Sequence, residues 1–551
     1  MTRIQRFLSN AALLTLTSLG MRGIGVLFNR YLSVYIGTAG LGQFSLLMSV
    51  YGFAVTAASA GLHLAVTRVV SEAGGADDRA AMRCAVRTGM SCAAVFSIGA
   101  AGLLYLFAPC IGAKWLGFPE AAPALRLLAL SLPLLSLSTT VNGYFVAVRQ
   151  AYKGAVINLL CQGLRIGITV WGLRTWGIRD GIWPCYALVI ASLVSEAACF
   201  VLSLLCFLPD YRRRCAASRN DPPHCTAGTA RYVLHIALPI ALTACIRSGL
   251  QTLQHLLIPL GLERSGTTTD AALSAYGTVH GIVLPVLLFP AALLTATAGL
   301  LIPEVAELRT RGNSAAVRRN AARILRMTLY YAVFIGGCIG CFSPTLGTLV
   351  GGNGDTGRYL ILLAALIPIM YLDTVVDAFL KGLDAQLDSM RYNLLDAAFC
   401  VIMAYLLLPP LGIVGYIILL YASELFNLTL SLGKLLSLTG LHFPFLRWIW
   451  TPMLAVMGAG ACTGLFFRMI GITYRFPMTQ LIVQVLVCAV FYFAFLYLLG
   501  AVRSKDMRAL RRLVFPITKL PLEKPRKPWY NRKNIQQRGE PHHDKRHPTE
   551  P

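Results

Sequence analysis

Charge is scarce in this chain. Of 551 residues only 13% are Asp, Glu, Lys or Arg, and acidic residues are the scarcer kind, 24 against 49 basic ones. With 56% hydrophobic residues, that excludes an ordinary soluble domain and points to a polytopic, all-α membrane protein. The marks of an enzyme are missing too. No metal-ligand cluster, nucleophile elbow, Walker loop or dinucleotide fingerprint is legible. The chain reads as a non-enzyme that needs no cofactor. With no ATP-binding domain, any driving force has to be an ion gradient, the membrane potential or the solute's own gradient. A disulfide framework is also absent: the 15 cysteines are mostly single and mostly inside apolar runs, as small buried residues in a reducing setting are. Cys338 and Cys341 make a Cys-x-x-Cys, but inside an apolar run with no His or second pair nearby, so it is given no metal or redox role.

What the chain has in excess is apolar runs of spanning length. About fourteen recur, among them 8–30, 43–67, 232–260, 273–302, 391–409 and 412–437. Each is near the ~20 residues that a helix needs to cross the hydrocarbon layer. The first imitates a signal peptide but is too long for one and shows no convincing cleavage site, so it is expected to be a retained helix. The loops alternate in charge. Those after the second, fourth, sixth and eighth runs carry Arg79 and Arg83, Arg149 and Lys153, Arg212 to Arg214, and Arg309 with Arg318 and Arg319. The intervening loops, such as Tyr31–Gly42 and Pro409–Gly412, are nearly neutral. Basic loops belong on the cytoplasmic side, which accounts for the net charge of +25 without nucleic acid. The expected place is the cytoplasmic membrane, multi-pass, with both termini cytoplasmic.

The sequence repeats itself loosely. The second run leaves through A-V-T-R-V-V-S-E (65–72) and D-D-R-A-A-M-R-C-A-V-R (77–87); the eighth leaves through L-L-I-P-E-V-A-E (300–307) and N-S-A-A-V-R-R-N-A-A-R (313–323). Six runs separate the matched pieces, so the halves share one orientation, as parallel repeats do. The expected organisation is an N-lobe over 1–210, a cytoplasmic linker over 211–231 and a C-lobe over 232–440. Two extra helices follow over 441–502, then a basic, largely disordered tail over 503–551, which either lies on membrane lipids or is a solvated positive-inside tail. Rocking of one lobe on the other is the motion this architecture permits.

The candidate functional residues are the polar ones inside apolar runs. A guanidinium at mid-membrane costs roughly 2.5–3.5 kcal/mol on insertion scales, so it faces protein or water rather than lipid. Arg22 and Arg247 occupy matched places in the first and seventh runs, and Arg30 and Arg68 lie at helix ends. A planar guanidinium suits phosphate, because its fork donates two parallel hydrogen bonds. The competing structural reading pairs each arginine with a carboxylate or lets it snorkel. Arg165, with Gln162 beside it, is a further cavity candidate, and Glu196 its structural partner. Gln251, Gln254 and His255 give the seventh run a polar face. Asp373, Asp377, Glu196 and Glu424 are candidates for coupling an ion; for Asp377 a helical ion pair with Lys381 is the structural alternative.

The block R-G-I-G-V-L-F-N-R-Y-L-S-V-Y-I-G-T-A-G-L-G-Q-F (22–44), with N-G-Y-F (142–145), L-R-I-G (164–167), L-I-P-E-V-A-E (301–307) and L-G-I-V-G-Y (411–416), resembles the stage V sporulation protein B family. That family stands in the polysaccharide-exporting branch of the MOP flippase superfamily, beside lipid II flippases and MATE transporters. The resemblance implies a two-lobed transporter that moves a lipid-linked saccharide, with a peptidoglycan precursor as first expectation and cell-wall synthesis proteins as partners. It implies Arg22, Arg30, Arg68 and Arg247 as the pyrophosphate-binding residues. Two departures stand out. Gly23 fills the place of a family arginine, with Arg22 one position early, and Asn142 replaces a charge in the family's R-G-Y-F. Rival readings are a capsule or teichuronic-type exporter, a cation-coupled drug exporter, and a non-transporting scaffold for cell-wall synthesis.

Overall fold

Helix is the only regular structure among the described residues, which are 3–75, 78–176, 183–214, 227–351, 354–441, 444–470 and 477–501 of the computed structural model. In lipid every backbone polar group needs an internal partner, and a helix supplies one within each segment. In chain order the helices are α1 (Arg3–Ser59), α2 (Leu62–Gly75), α3 (Arg79–Cys110), α4 (Ala121–Ala147), α5 (Ala151–Trp176) and α6 (Trp183–Arg214). Then come α7 (Ala227–Arg264), α8 (Thr269–Tyr276), α9 (Leu284–Leu288), α10 (Ala292–Thr310), α11 (Ser314–Cys341) and α12 (Ser343–Val350). The series closes with α13 (Thr356–Ala364), α14 (Ile367–Gly382), α15 (Gln386–Thr439), α16 (Phe445–Ile470) and α17 (Pro477–Leu498). A π-helical turn, Gly277–Val283, joins α8 to α9. Residues 1–501 form one unit. The expected basic tail lies outside the described residues, as does most of the expected linker.

Among the described residues, eleven helical stretches are long and apolar enough to cross a membrane, or twelve if α13 and α14, bent by 55°, count as one. The fourteen runs read from sequence do not match these stretches one to one, because some runs share a helix. Two helices are far too long for one crossing. At about 1.5 Å per residue, the 57 residues of α1 would run nearly three times the hydrocarbon thickness. Each holds two helical arms that meet at a glycine: Gly37 in α1 (φ 74°, ψ 172°) and Gly412 in α15 (φ 54°, ψ −130°). Positive φ is nearly free for glycine alone. The turns expected at 31–42 and 409–412 are thus single-residue kinks between continuous helices.

Other expected runs are broken. The run 43–67 stops at Ala60–Gly61 and restarts as α2. The run 273–302 comprises α8, the π turn and α9 without a gap, and then α10, set off at Pro290, which cannot donate to the helix. Two helix starts are capped alike: Asp78 Oδ1 accepts from Ala81 N (2.8 Å) at the start of α3, and Asn313 Oδ1 accepts from Ala316 N (3.0 Å) at the start of α11. The cysteine reading needs one correction. Among the described residues twelve thiols are free, but Cys84 is disulfide-bonded.

The arms of α1 pack on α3 and α4 on one side and on α7, α8 and α10 on the other. Contact with the second half is tightest beside the Gly37 kink. A Cβ on Gly42 would stand 2.2 Å from Leu273 O, and one on Gly277 would stand 2.2 Å from Thr38 O. Backbone meets backbone there because neither residue has a side chain. Thr38 Oγ1 and Ser274 Oγ share a hydrogen bond of 2.7 Å across the same seam, and Tyr35 Oη donates to Leu173 O. Toward the opposite, basic end, Tyr232 Oη donates to Glu72 Oε2 (3.3 Å) and Gly61 lies against Ala237 O. Helix α16 packs on α11 and α17.

Candidate functional site

The polar interior is built around a break. Pro290 ends α9, and the backbone amides beyond it are redirected: Ala292 N bonds Phe289 O (3.2 Å) and Leu293 N bonds Pro290 O (3.3 Å). The carbonyls of Leu287 and Leu288 are thereby released from the helical ladder, and buried carbonyls need partners. Tyr371 Oη takes Leu287 O at 2.7 Å, and Arg22 Nη1 takes Leu288 O at 2.9 Å. Tyr331 Oη adds a bond to Pro290 O (2.9 Å). Arg22 on α1 thus reaches the second half through one of its five N–H groups and keeps the others. Among the described residues no carboxylate stands within ion-pair distance of it.

Arg22 opens onto a cavity of about 420 Å³ lined by α1, α5, α6 and α9. Arg165 and Gln162 of α5 enter the same cavity, with Asn29, Thr169 and Ser192. Glu196 lies within electrostatic reach of Arg165 but makes no ion pair with it and is not part of the lining. A second cavity of about 410 Å³ adjoins the first. It is lined by α1, α7 and the π turn, and includes Gln251, His255 and His280. Asn29, Phe44 and Met48 belong to both linings. Asn29 Nδ2 donates to Gly281 O (2.8 Å), which ties the shared wall to the π turn.

Of the expected pyrophosphate ligands, Arg22 alone lines either cavity. Arg30 packs against Gly351 at the end of α12. Arg68 is exposed, with its Nε on Glu72 Oε1 at 2.9 Å. Arg247 is exposed on α7, outside both linings, within electrostatic reach of Asp373 and Asp396. Gln254 lines neither cavity either. Sequence reasoning missed Asn29 and His280. For Asn29 the signal was present: it follows Arg22 by seven residues, two helical turns, and so shares its face. For His280 it was not, since a π turn shifts the face by a residue and nothing in the sequence marks it.

A separate acidic cluster lies in the second half. Asn427 Nδ2 donates to Asp373 Oδ2 at 3.2 Å, while Asp373 Oδ1 and Asn427 Oδ1 are buried without a hydrogen-bond partner. Ser423 Oγ donates to Asp396 Oδ1 at 2.9 Å. Glu424 lies within electrostatic reach of both carboxylates. Asp377 is occupied, by Lys381 Nζ at 2.6 Å and by the hydroxyl of Ser389. Among the described residues no three His, Cys, Asp or Glu side chains are grouped to hold a metal ion.

Comparison with known proteins agrees with this architecture. Residues 7–222 match the model of the polysaccharide biosynthesis protein family. Stage V sporulation protein B of Bacillus subtilis (strain 168) is 20% identical over 416 residues, 75% of this chain and 80% of that one. The sporulation protein YkvU of the same organism is 20% identical over 422 residues, 75% of this chain and 91% of that one. Among solved structures, an inward closed conformation of the lipid II flippase MurJ superposes with a TM-score of 0.61 at 12% identity. It covers 91% of this chain and all of the other. An inward-facing MATE-family multidrug transporter gives 0.58 at 15% identity, covering 77% and 99%. The solved structures are a flippase and a multidrug transporter, and the chain shares their fold.

Proposed function

We propose that this protein carries a lipid-linked saccharide across the cytoplasmic membrane by alternating access, and that Arg22 and Arg165 hold the diphosphate of that lipid. The observation that carries the reading is two guanidiniums in one cavity, neither in an ion pair with a carboxylate among the described residues. A guanidinium at membrane depth without a carboxylate is expensive, and an anionic ligand is the partner that offsets the cost. The lipid tail stays in the bilayer while the headgroup enters. A peptidoglycan precursor is the first choice of substrate. The superposition on a lipid II flippase and the likeness to sporulation proteins support it. Basic loops face the cytoplasm and so do both termini. The moving parts are the lobes, 1–210 and 232–440, parting in turn at the Gly42–Gly277 seam and at the basic end. Energy enters as a cation, most simply a proton, taken up at Asp373, whose Oδ1 lacks a partner.

The test is transport of a fluorescent lipid-linked disaccharide in proteoliposomes. Wild type translocates it, and Arg22→Ala and Arg165→Ala each slow translocation by about 10–100-fold, the value of a charge-assisted hydrogen bond or two. Unchanged transport in both variants would remove the arginines from the mechanism. Failure of the folded wild type to move this lipid would point to a capsule-type lipid instead.

A further inference from the structure

The two adjoining cavities offer different chemistry. The first presents arginine N–H groups. The second has no Lys, Arg, Asp or Glu among its described lining residues. Its hydroxyls have largely spent their protons on the backbone. Ser45 Oγ donates to Leu41 O (2.8 Å), Ser49 Oγ to Leu46 O (2.8 Å) and Thr252 Oγ1 to Ser49 O (3.0 Å). What these three keep is acceptor capacity. The donors left are few and neutral: the Gln251 amide, the second N–H of the Asn29 amide, the Ser248 hydroxyl, which accepts from Thr56 (3.3 Å), and the two imidazoles. The rings are held in place. His255 Nδ1 shares a hydrogen bond of 3.2 Å with Tyr276 Oη, and Tyr276 stacks on His280 at 5.3 Å with 8° between the planes. No carboxylate in the lining stands ready to hold a charged imidazole, so each ring counts as one donor and one acceptor.

A phosphate or carboxylate brings only acceptors. Against these hydroxyls it would set lone pair against lone pair and lose its hydration for nothing. A sugar ring brings hydroxyls that both donate and accept, which matches an acceptor-rich wall with a few donors. Phe44, common to both cavities, adds an apolar ring face at the junction. We infer that the second cavity is a saccharide subsite, that it takes an uncharged hexose-type ring attached next to the diphosphate, and that it discriminates against sugars bearing a carboxylate. The inference rests on the reading of the first cavity as the diphosphate site. Gln251 is its main adaptable contact, because its side chain is exposed to the cavity and free of structural partners among the described residues.

The experiment measures dissociation constants of the full-length protein in detergent for three probes: geranylgeranyl diphosphate, the same lipid ending in glucose, and the same lipid ending in glucuronic acid. Glucose is expected to tighten binding about tenfold over the bare lipid, the value of one or two net hydrogen bonds. Glucuronic acid is expected to give no gain. Gln251→Ala abolishes the glucose gain and leaves the bare lipid within about twofold of wild type, which also certifies its fold; Gln254→Ala, outside both cavities, keeps the gain. Bare lipid that binds with no gain from glucose, or a glucuronic acid probe that binds as tightly as the glucose one, would overturn the subsite. Bare lipid that fails to bind at all would overturn the diphosphate reading and this inference with it.

Discussion

In the first half of the molecule Arg22 and Arg165 share an open cavity, and neither has a carboxylate in ion-pair range among the described residues. In the second half Asp373, Asp396 and Glu424 stand among Asn427, Ser423 and Arg247, and part of their hydrogen bonding is met from within. One centre is cationic and spacious, the other acidic and closed in. Free donors around a large space call for a ligand with many acceptor oxygens. A carboxylate with one free buried oxygen has room for little more than a proton or a small cation. Under the proposed function the contrast divides the work: cargo at the basic centre, coupling at the acidic one.

The strongest way to break this contrast is to remove the basic centre whole. The double variant Arg22→Ala/Arg165→Ala should lower translocation in proteoliposomes to background, a loss of at least about 100-fold. At the acidic centre, Asp373→Asn should slow transport about tenfold or more and flatten its response to an imposed pH gradient. Asp377→Asn should do neither, because that carboxylate serves Lys381 and Ser389. Equal effects from the two would deny Asp373 a special role. A smaller effect is expected at the seam. Gly42→Ala places a methyl against Leu273 O and should weaken closure beside the Gly37 kink by about 1–3 kcal/mol. Spin labels on either side of the seam would report it as a longer mean distance. The smallest change is expected from Arg68→Ala, since its exposed pair with Glu72 lies away from both cavities; transport should stay within about twofold of wild type.

Much of the fold was legible because membrane helices declare themselves by length and apolarity alone. What misled was the reading of polar and glycine-rich stretches as loops. Gly37, Gly40 and Gly42 look like one turn, but only Gly37 leaves the helical conformation; Gly42 serves the contact with Leu273. The site was legible in part. A deep arginine announces a need for a partner, and Arg22, Arg165, Gln162, Gln251 and His255 do reach the cavities. The sequence does not say which face of a helix meets the other half. Asn29 and Arg30 are neighbours in the chain but differ by about 100° around the helix, and the packing of α1 decides which enters. Nor does it foretell that Pro290 would free a carbonyl for Arg22, since that bond joins residues 266 positions apart.

The measurement that goes most directly to the division of work is the affinity of full-length protein for a polyprenyl diphosphate bearing no sugar, compared across three proteins. Wild type and Asp373→Asn should bind it alike, and Arg22→Ala/Arg165→Ala should bind it at least about 100-fold more weakly. Equal binding by all three, or a loss confined to Asp373→Asn, would contradict the assignment of the cargo's charge to the basic centre.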